Sequence, residues 1–130
     1  MSVLLDTNVL IGLLRGSPPY WQYLEKLLER TAVSISVVTR AEIYAGCHLT
    51  EEAETEKLLT LFKTVPVDGD IAEMAGRFVY RFSRRGVTLH LEDALIGATA
   101  INAHLILVTS NVGHFPMLSL DKDLIRFPNE

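Results

Sequence analysis

The stretch that decides the fold lies near the start of the chain and runs Val3-Leu4-Leu5-Asp6-Thr7-Asn8-Val9-Leu10-Ile11. Three apolar residues lead directly into an acid, and an apolar helical pattern follows. A short apolar run of this kind is typical of a strand buried on both faces, as in the centre of a parallel sheet. We therefore expect Asp6 at the carboxyl end of a central strand, the edge at which open α/β sheets bind ligands.

A carboxylate at that edge suggests a cation site, but a simpler role is also open. Asp and Thr are common helix N-caps, and a cap would account for the junction between strand and helix by itself. The rest of the chain has to separate the two interpretations.

The composition limits the fold and the location of the protein. A chain of 130 residues that is 48% hydrophobic and 22% charged is expected to form one compact domain, residues 1–130. We expect no signal peptide, because Asp6 follows only a few apolar residues, and no membrane span, because no run of about 18 apolar residues occurs. The single Cys47 excludes an intrachain disulfide and a thiolate-rich zinc site. These features point to the cytoplasm.

The net charge of −4 has the wrong sign for a generic nucleic-acid-binding protein. Acids that are committed to divalent cations would change the local field, however. The charge therefore argues against a nucleic-acid partner without excluding one.

Strands and helices are predicted to alternate along the chain. Strands are expected at 3–5, 33–37, 65–67, 105–109 and 125–127, and helices at 9–14, 20–30, 39–47, 50–64, 70–85 and 91–104. Pro66 suggests that the strand at 65–67 lies at an edge of the sheet. The last strand is also expected at an edge. Thr39 and Asp70 are expected to cap helices, Thr39 through a capping box with Glu42. This alternation indicates an α/β fold with a parallel sheet and right-handed crossovers.

Polar residues that follow apolar strands or open helices are the candidates for a functional site. Asp6 and Asn111 each follow one of the two most apolar strands, so both are expected at the carboxyl edge of the sheet. Glu42 is expected in the first turns after the second strand, and Asp93 at the start of a helix rich in small residues. A capping box for Glu42 and a favourable interaction of Asp93 with the helix dipole are the simpler explanations.

Carboxylates that meet at one edge repel each other and are costly to bury without a counter-charge. A hard divalent cation with oxygen ligands removes this difficulty. Mg²⁺ typically takes one or two carboxylates and keeps several waters, and Mn²⁺ suits the same ligands. Such an ion can activate water and stabilise a leaving oxygen, which indicates phosphodiester hydrolysis.

Four motifs, in order along the chain, resemble the PIN-domain family, and more narrowly the VapC-type toxin ribonucleases of toxin–antitoxin pairs. The motifs are Leu5-Asp6-Thr7-Asn8-Val9-Leu10-Ile11, Arg40-Ala41-Glu42-Ile43, Glu92-Asp93-Ala94-Leu95-Ile96-Gly97-Ala98-Thr99-Ala100 and Leu107-Val108-Thr109-Ser110-Asn111-Val112-Gly113-His114-Phe115. The resemblance covers essentially the whole chain, with these motifs in order and at suitable spacing.

The resemblance implies an α/β/α sandwich with a five-stranded, mainly parallel sheet, and an endoribonuclease that depends on one or two Mg²⁺ or Mn²⁺ ions. It also implies a homodimer, and a small antitoxin whose tail lies across the active-site groove. Under the resemblance Asp6, Glu42 and Asp93 are metal ligands, Asn111 positions a water at the metal, and Thr7 and Thr109 support the ligands.

One position departs from the family pattern. Many relatives carry a further acid just before the residue equivalent to Phe115, whereas this chain has His114. Histidine is a poor ligand for Mg²⁺ and an acceptable one for Mn²⁺. Either a second ion binds weakly and arrives with the substrate, or Asn111 and water fill its place, or His114 is a loop residue without a role.

A basic stripe at helical spacing is formed by Arg77, Arg81, Arg84 and Arg85. A solvated helix face explains it most simply. The functional alternative is contact with RNA phosphates or with an acidic antitoxin segment, through bidentate guanidinium bonds.

Two other classes of protein remain open at this stage. Phosphatases of the haloacid dehalogenase type also begin with a strand and a nucleophilic Asp, but Asn8 stands where they carry a second Asp, and no lysine follows in the expected context. The other class is a non-catalytic binding module that retains the fold, which His114 leaves open.

Overall fold

The computed structural model describes residues 2–47 and 51–127, and in these ranges each of the first three strands is followed by two helices. The strands are β1 Val3–Leu5, β2 Val33–Ser36, β3 Lys63–Val65, β4 Ile106–Thr109 and β5 Leu124–Arg126. The helices are α1 Thr7–Leu14, α2 Pro18–Arg30, α3 Val37–Ala45, α4 Glu52–Leu59, α5 Gly69–Ser83 and α6 Leu91–Asn102. A 3₁₀ turn, Val112–His114, follows β4. The predicted α/β class is confirmed.

The five strands form one sheet in the order β3-β2-β1-β4-β5, and every neighbouring pair is parallel. The chain builds the sheet outward from β1 through β2 to β3, then crosses to the other side of β1 with β4 and β5. The strand order therefore reverses between β1 and β4, the kind of switch point at which α/β sheets bind ligands. Both predicted edge strands, the one beside Pro66 and the last one, do lie at the edges.

The two faces of β1 pack against different helices. Val3 and Leu5 lie in a buried cluster with apolar residues of α1, α2 and α4, while Leu4 packs with Leu107 and with Ile96 of α6. All three residues of β1 are essentially inaccessible to solvent. Helices thus cover both faces of the sheet, as expected for the sandwich. Within the described ranges, no helix is long and apolar enough to cross a bilayer.

The start of α3 differs from the prediction. The helix begins at Val37, because Ser36 at the end of β2 is extended and its hydroxyl accepts a hydrogen bond from the Val38 N–H at 3.0 Å. The predicted cap at Thr39 and its capping box with Glu42 are therefore wrong. Both residues lie inside the helix, which leaves the Glu42 side chain free to bond elsewhere.

The cap of α5 also differs, since Asp68 rather than Asp70 accepts the hydrogen bond from the Ile71 N–H, at 2.9 Å. The extended backbone of Asp68 lets its side chain reach the third residue of the helix, whereas Asp70 is already in the first turn. The predicted helix start at Thr50 lies outside the described residues. The strand predicted at 65–67 lies two residues earlier, because α4 already ends at Leu59.

Candidate active site at the carboxyl edge of the sheet

Asp6 lies at the end of β1, directly beside the end of β4. Its amide continues the sheet by donating to the Val108 carbonyl at 2.9 Å. One carboxylate oxygen accepts from the Thr7 N–H at 2.8 Å, and the other accepts from the Thr109 hydroxyl at 2.6 Å. The residue is 5% exposed. Asp6 is therefore the N-cap of α1 and, at the same time, a buried carboxylate at the switch point.

Burial raises the pKa of Asp6, and three neighbours oppose this effect. The hydrogen bonds from Thr109 and Thr7 lower the pKa, and so does the electrostatic attraction of His114. Each carboxylate oxygen has a second lone pair beyond the one that is already bonded. Asp6 can therefore accept a cation while it keeps both hydrogen bonds.

Glu42 of α3 is hydrogen-bonded to Thr7, the first residue of α1. The Thr7 hydroxyl donates to Glu42 Oε1 at 2.7 Å and is also hydrogen-bonded to the buried Thr39 Oγ1 at 3.0 Å. Since Thr7 follows Asp6 directly, this bond holds the two carboxylates on either side of one threonine. The Glu42 side chain is thus drawn towards the end of β1.

Asp93, in the first turn of α6, completes the group of acids, with a side chain that is 17% exposed. Burial is the main cause that raises its pKa to about 6, and the negative charges of Asp6, Glu92 and Glu42 raise it further, while His114 lowers it. These charge interactions show that Asp6, Glu42 and Asp93 share one neighbourhood.

His114, at the end of the 3₁₀ turn, faces the same acids. Its Nδ1 lies 3.5 Å from Asp93 Oδ2, and its side chain is about half exposed. Asn111 is tied to the site through its backbone, whose N–H donates to Thr109 Oγ1 at 3.0 Å. The structure therefore brings the loop after β4 to the group of acids, as its position in the sequence predicts.

Two further residues of the site were not among the predicted ones. Asn8 donates from Nδ2 to Thr109 Oγ1 and accepts from the Ser110 N–H, both at 3.3 Å, so it links the start of α1 to the end of β4. Thr39 is fully buried beneath Thr7. The only signal for Asn8 in the sequence is its place two residues after Asp6, which also fits an ordinary helix start.

The donor set fits a hard divalent cation. Three carboxylates surrounded by hydroxyl and amide oxygens are the ligands that Mg²⁺ and Mn²⁺ prefer. Among residues 2–47 and 51–127, no three His, Cys, Asp or Glu side chains converge closely enough to enclose an ion by themselves. Mg²⁺ keeps several waters and typically takes only one or two carboxylates, so a complete set of three protein ligands is not required for it.

Of the predicted basic stripe, Arg77 and Arg81 lie on α5, whereas Arg84 and Arg85 follow the end of the helix. Arg77 forms an ion pair with Glu73 at 2.7 Å. The guanidinium groups of Arg84 and Arg85 lie over the rings of Tyr80 and Phe82, at 5.9 and 5.5 Å from the ring centroids.

Comparisons with known proteins agree with this geometry. The model of the PIN-domain family matches residues 3–126. Ribonuclease VapC10 of Mycobacterium tuberculosis is 38% identical over 126 residues, which are 97% of this chain and 95% of that protein. Ribonuclease VapC19 of the same species is 37% identical over 117 residues, covering 88% and 92%. A toxin–antitoxin complex from Klebsiella pneumoniae contains a chain with a TM-score of 0.78 and 30% identity, over 95% of both chains. This chain therefore belongs to the PIN-domain family, and groups within it with the VapC proteins.

Proposed function

We propose that this protein is a divalent-metal-dependent endoribonuclease and the toxin of a toxin–antitoxin pair. The observation that carries the proposal is the group formed by Asp6, Glu42 and Asp93 at the switch point between β1 and β4. Two relatives named as ribonucleases support the reaction, and the similarity to a chain of a toxin–antitoxin complex supports the partner. The match to the PIN-domain family leaves no support for the phosphatase alternative.

In this proposal Asp6, Glu42 and Asp93 hold Mg²⁺ or Mn²⁺, as one ion or two. The ion supplies positive charge for the scissile phosphate and acidifies a water. The hydrogen bonds from Thr109 and the Thr7 amide lower the pKa of Asp6 against the larger effect of its burial, and the Thr7 hydroxyl orients Glu42.

The residues of the loop after β4 have separate roles in this proposal. Asn111, anchored by its N–H to Thr109, orients the attacking water. His114 stands beside Asp93, with its Nδ1 3.5 Å from Asp93 Oδ2, and would be a weak ligand for a second ion. Because imidazole binds Mn²⁺ more readily than Mg²⁺, Mn²⁺ is expected to support cleavage at lower concentration.

A small antitoxin and a second copy of the chain are the proposed protein partners. An apolar groove of about 470 Å³ between α1, α2 and α4, lined mainly by Leu13, Leu14, Trp21, Leu58 and Leu61, supports the antitoxin. Exposed apolar surfaces that are rimmed by polar residues commonly mark protein contacts.

The proposal is tested by incubating the purified protein with single-stranded and structured RNAs in Mg²⁺, Mn²⁺ or EDTA. We expect cleavage with either ion and none with EDTA, and a loss of about a hundredfold or more for Asp6→Asn and Asp93→Asn. Glu92→Gln is the matched control, because it removes an adjacent, exposed charge from the same helix turn. It is expected to keep its activity. The absence of metal-dependent cleavage, or equal cleavage by Asp6→Asn, would instead indicate a non-catalytic binding module.

A further inference from the structure

The second half of α5 carries a basic cleft beside the candidate active site. The cleft measures about 320 Å³ and is lined by Phe78, Arg81 and Phe82 of α5, by Arg85 of the turn that follows the helix, and by Pro116 and Met117 of the loop that follows the 3₁₀ turn. We propose that this α5 cleft binds the RNA strand next to the scissile phosphate. Arg81 and Arg85 contact backbone phosphates, and the phenylalanine rings contact a base. The inference rests on the proposed ribonuclease function and names the surface that holds its substrate.

The two arginines of the cleft form no ion pair with the described residues. Arg77, one turn earlier, is neutralised by Glu73 at 2.7 Å. In the part of the chain that the structure describes, neither Arg81 nor Arg85 has a carboxylate within ion-pair distance. Arginines near a helix C-terminus also interact favourably with the helix dipole. That interaction explains the charge of the helix end, but it explains neither the cleft nor its aromatic lining.

The aromatic lining is what a single-stranded nucleic acid requires. Phe78 and Phe82 are only partly buried and line the cleft between the two guanidinium groups, and the Arg85 guanidinium lies 5.5 Å from the centroid of the Phe82 ring. Proteins that bind single strands combine a basic groove with aromatic rings on which bases stack. The planar guanidinium also matches a phosphate in two parallel hydrogen bonds.

The cleft is joined to the catalytic edge by a short piece of chain. Met117 lies three residues after His114, a distance that extended chain spans in at most about 11 Å. His114 Nδ1 is itself 3.5 Å from Asp93 Oδ2. The Met117 side chain packs on Gly97, where an added Cβ would lie 2.5 Å from Met117 Cε, so the loop rests directly on α6 just beyond Asp93. The loop residues that line the cleft are therefore close in the chain to His114 of the candidate site.

An acidic segment of a protein partner is the competing occupant. The larger groove between α1, α2 and α4 is lined mainly by aliphatic residues and Trp21, which suits a protein helix better. The α5 cleft is smaller and combines two unpaired cations with two aromatic rings. These features favour RNA.

The test measures the binding of a fluorescein-labelled single-stranded RNA by fluorescence anisotropy, over a series of KCl concentrations. All variants carry Asp93→Asn so that the RNA stays intact. With Arg81→Gln and Arg85→Gln combined, we expect Kd to rise roughly tenfold. The slope of log K against log salt should fall by about 1.4, since each phosphate contact on a single strand contributes about 0.7. Arg77→Gln is the matched control and should leave Kd and slope unchanged. Because all three arginines are exposed, the thermal melting curves of the arginine variants should coincide with that of the Asp93→Asn protein.

An unchanged Kd and slope in the double variant would overturn the proposal, and so would an equal loss in Arg77→Gln. A change in oligomeric mass by light scattering, with RNA binding unchanged, would assign the cleft to a protein contact and overturn it as well.

Failure of the ribonuclease function gives a different result. A protein that binds RNA through Arg81 and Arg85 but never cleaves it supports the cleft and refutes only the enzyme. A protein that cleaves, but whose double variant binds RNA normally, refutes only the cleft.

Discussion

Asp6 and Asp93 are both removed from solvent, but their surroundings stabilise the two carboxylates differently. Asp6 has a donor on each oxygen, from Thr7 and from Thr109, and these bonds oppose the rise in pKa that burial causes. For Asp93 the opposing influence is His114, and its pKa is raised to about 6. Asp93 is therefore the acid of the site that gains most from a bound cation.

Asp93→Asn is expected to stabilise the metal-free protein at neutral pH. The pKa of Asp93 is about 6 in the folded state against an ordinary 3.8, so the folded protein retains a proton that the unfolded chain has already lost. The free energy of unfolding should therefore fall as pH rises from about 4 to about 6, by at most about 3 kcal/mol, and stay low above that range.

Asp93→Asn removes this fall, so the variant should gain stability at pH 7 and none at about pH 3. Urea denaturation in EDTA at a series of pH values measures the difference. Glu92→Gln removes only one of the smaller causes that raise the pKa of Asp93, so it should change the pH dependence much less than Asp93→Asn. Equal stability of Asp93→Asn and the parent at pH 7 would show that this carboxylate is not destabilised by its surroundings.

At the scale of elements, the site depends on the position of α1, because Asp6 is the N-cap of this helix and Thr7 is its first residue. Helix α2 packs against α1 through Tyr20, whose ring lies over Gly12. Tyr20 and Tyr23 in turn contact Phe127, one edge to face at 5.0 Å and the other stacked at 4.1 Å between centroids. The absence of a side chain at position 12 is what permits this packing.

Gly12→Ala is therefore expected to destabilise the protein. The added Cβ would lie 2.5 to 2.8 Å from three atoms of the rigid Tyr20 ring. Overpacking of this kind costs about 1–3 kcal/mol, more than the roughly 1 kcal/mol that alanine gains in helix propensity. The control is Gly76→Ala in the interior of α5, where an added Cβ meets nothing within 4 Å. It should stabilise the protein by about 0.5–1 kcal/mol. Chemical denaturation that shows the same sign for both substitutions would contradict the close packing of α1 and α2.

For the molecule as a whole, the two apolar layers favour folding, whereas the acids at the carboxyl edge oppose it. The apolar residues of β1 pack against helices on both faces, and burial of one such side chain contributes about 1.5–3 kcal/mol. The carboxylates become neighbours only when the chain folds. A cation that binds this group, and not the unfolded chain, should therefore raise the stability of the whole domain.

Mg²⁺ or Mn²⁺ at a hundredfold excess over its Kd is expected to raise the free energy of unfolding by about 2.7 kcal/mol. Thermal melts during titration with MgCl₂ and MnCl₂ measure this, with NaCl at matched ionic strength as the control. Asp93→Asn should lose most of the response, since it removes one of the proposed ligands. A melting temperature that does not change across the titration would rule out the clustering of Asp6, Glu42 and Asp93 around an ion.

The sequence by itself determined the α/β class and the parallel sheet of five strands, and it singled out three acids whose role as metal ligands stays a prediction. These features follow from local patterns, since an apolar run of three to five residues followed by a polar side chain marks a strand end wherever the strand lies. Local patterns did not predict the N-caps of α3 and α5 correctly. Ser36 and Ser34 look alike along the chain, and only the point at which β2 leaves the sheet makes Ser36 the cap of α3.

Only the tertiary structure decided which side chains meet at the site. The hydroxyl of Thr109 bonds to a carboxylate 103 residues away, and Asn8 reaches the same threonine across 101 residues. The bond between Thr7 and Glu42 likewise depends on the adjacent placement of α1 and α3. Such contacts are set by strand order, which is fixed when the apolar faces of all helices are buried together. A local pattern carries no information about that order, and the environment of each acid, including the raised pKa of Asp93, exists only in the folded protein.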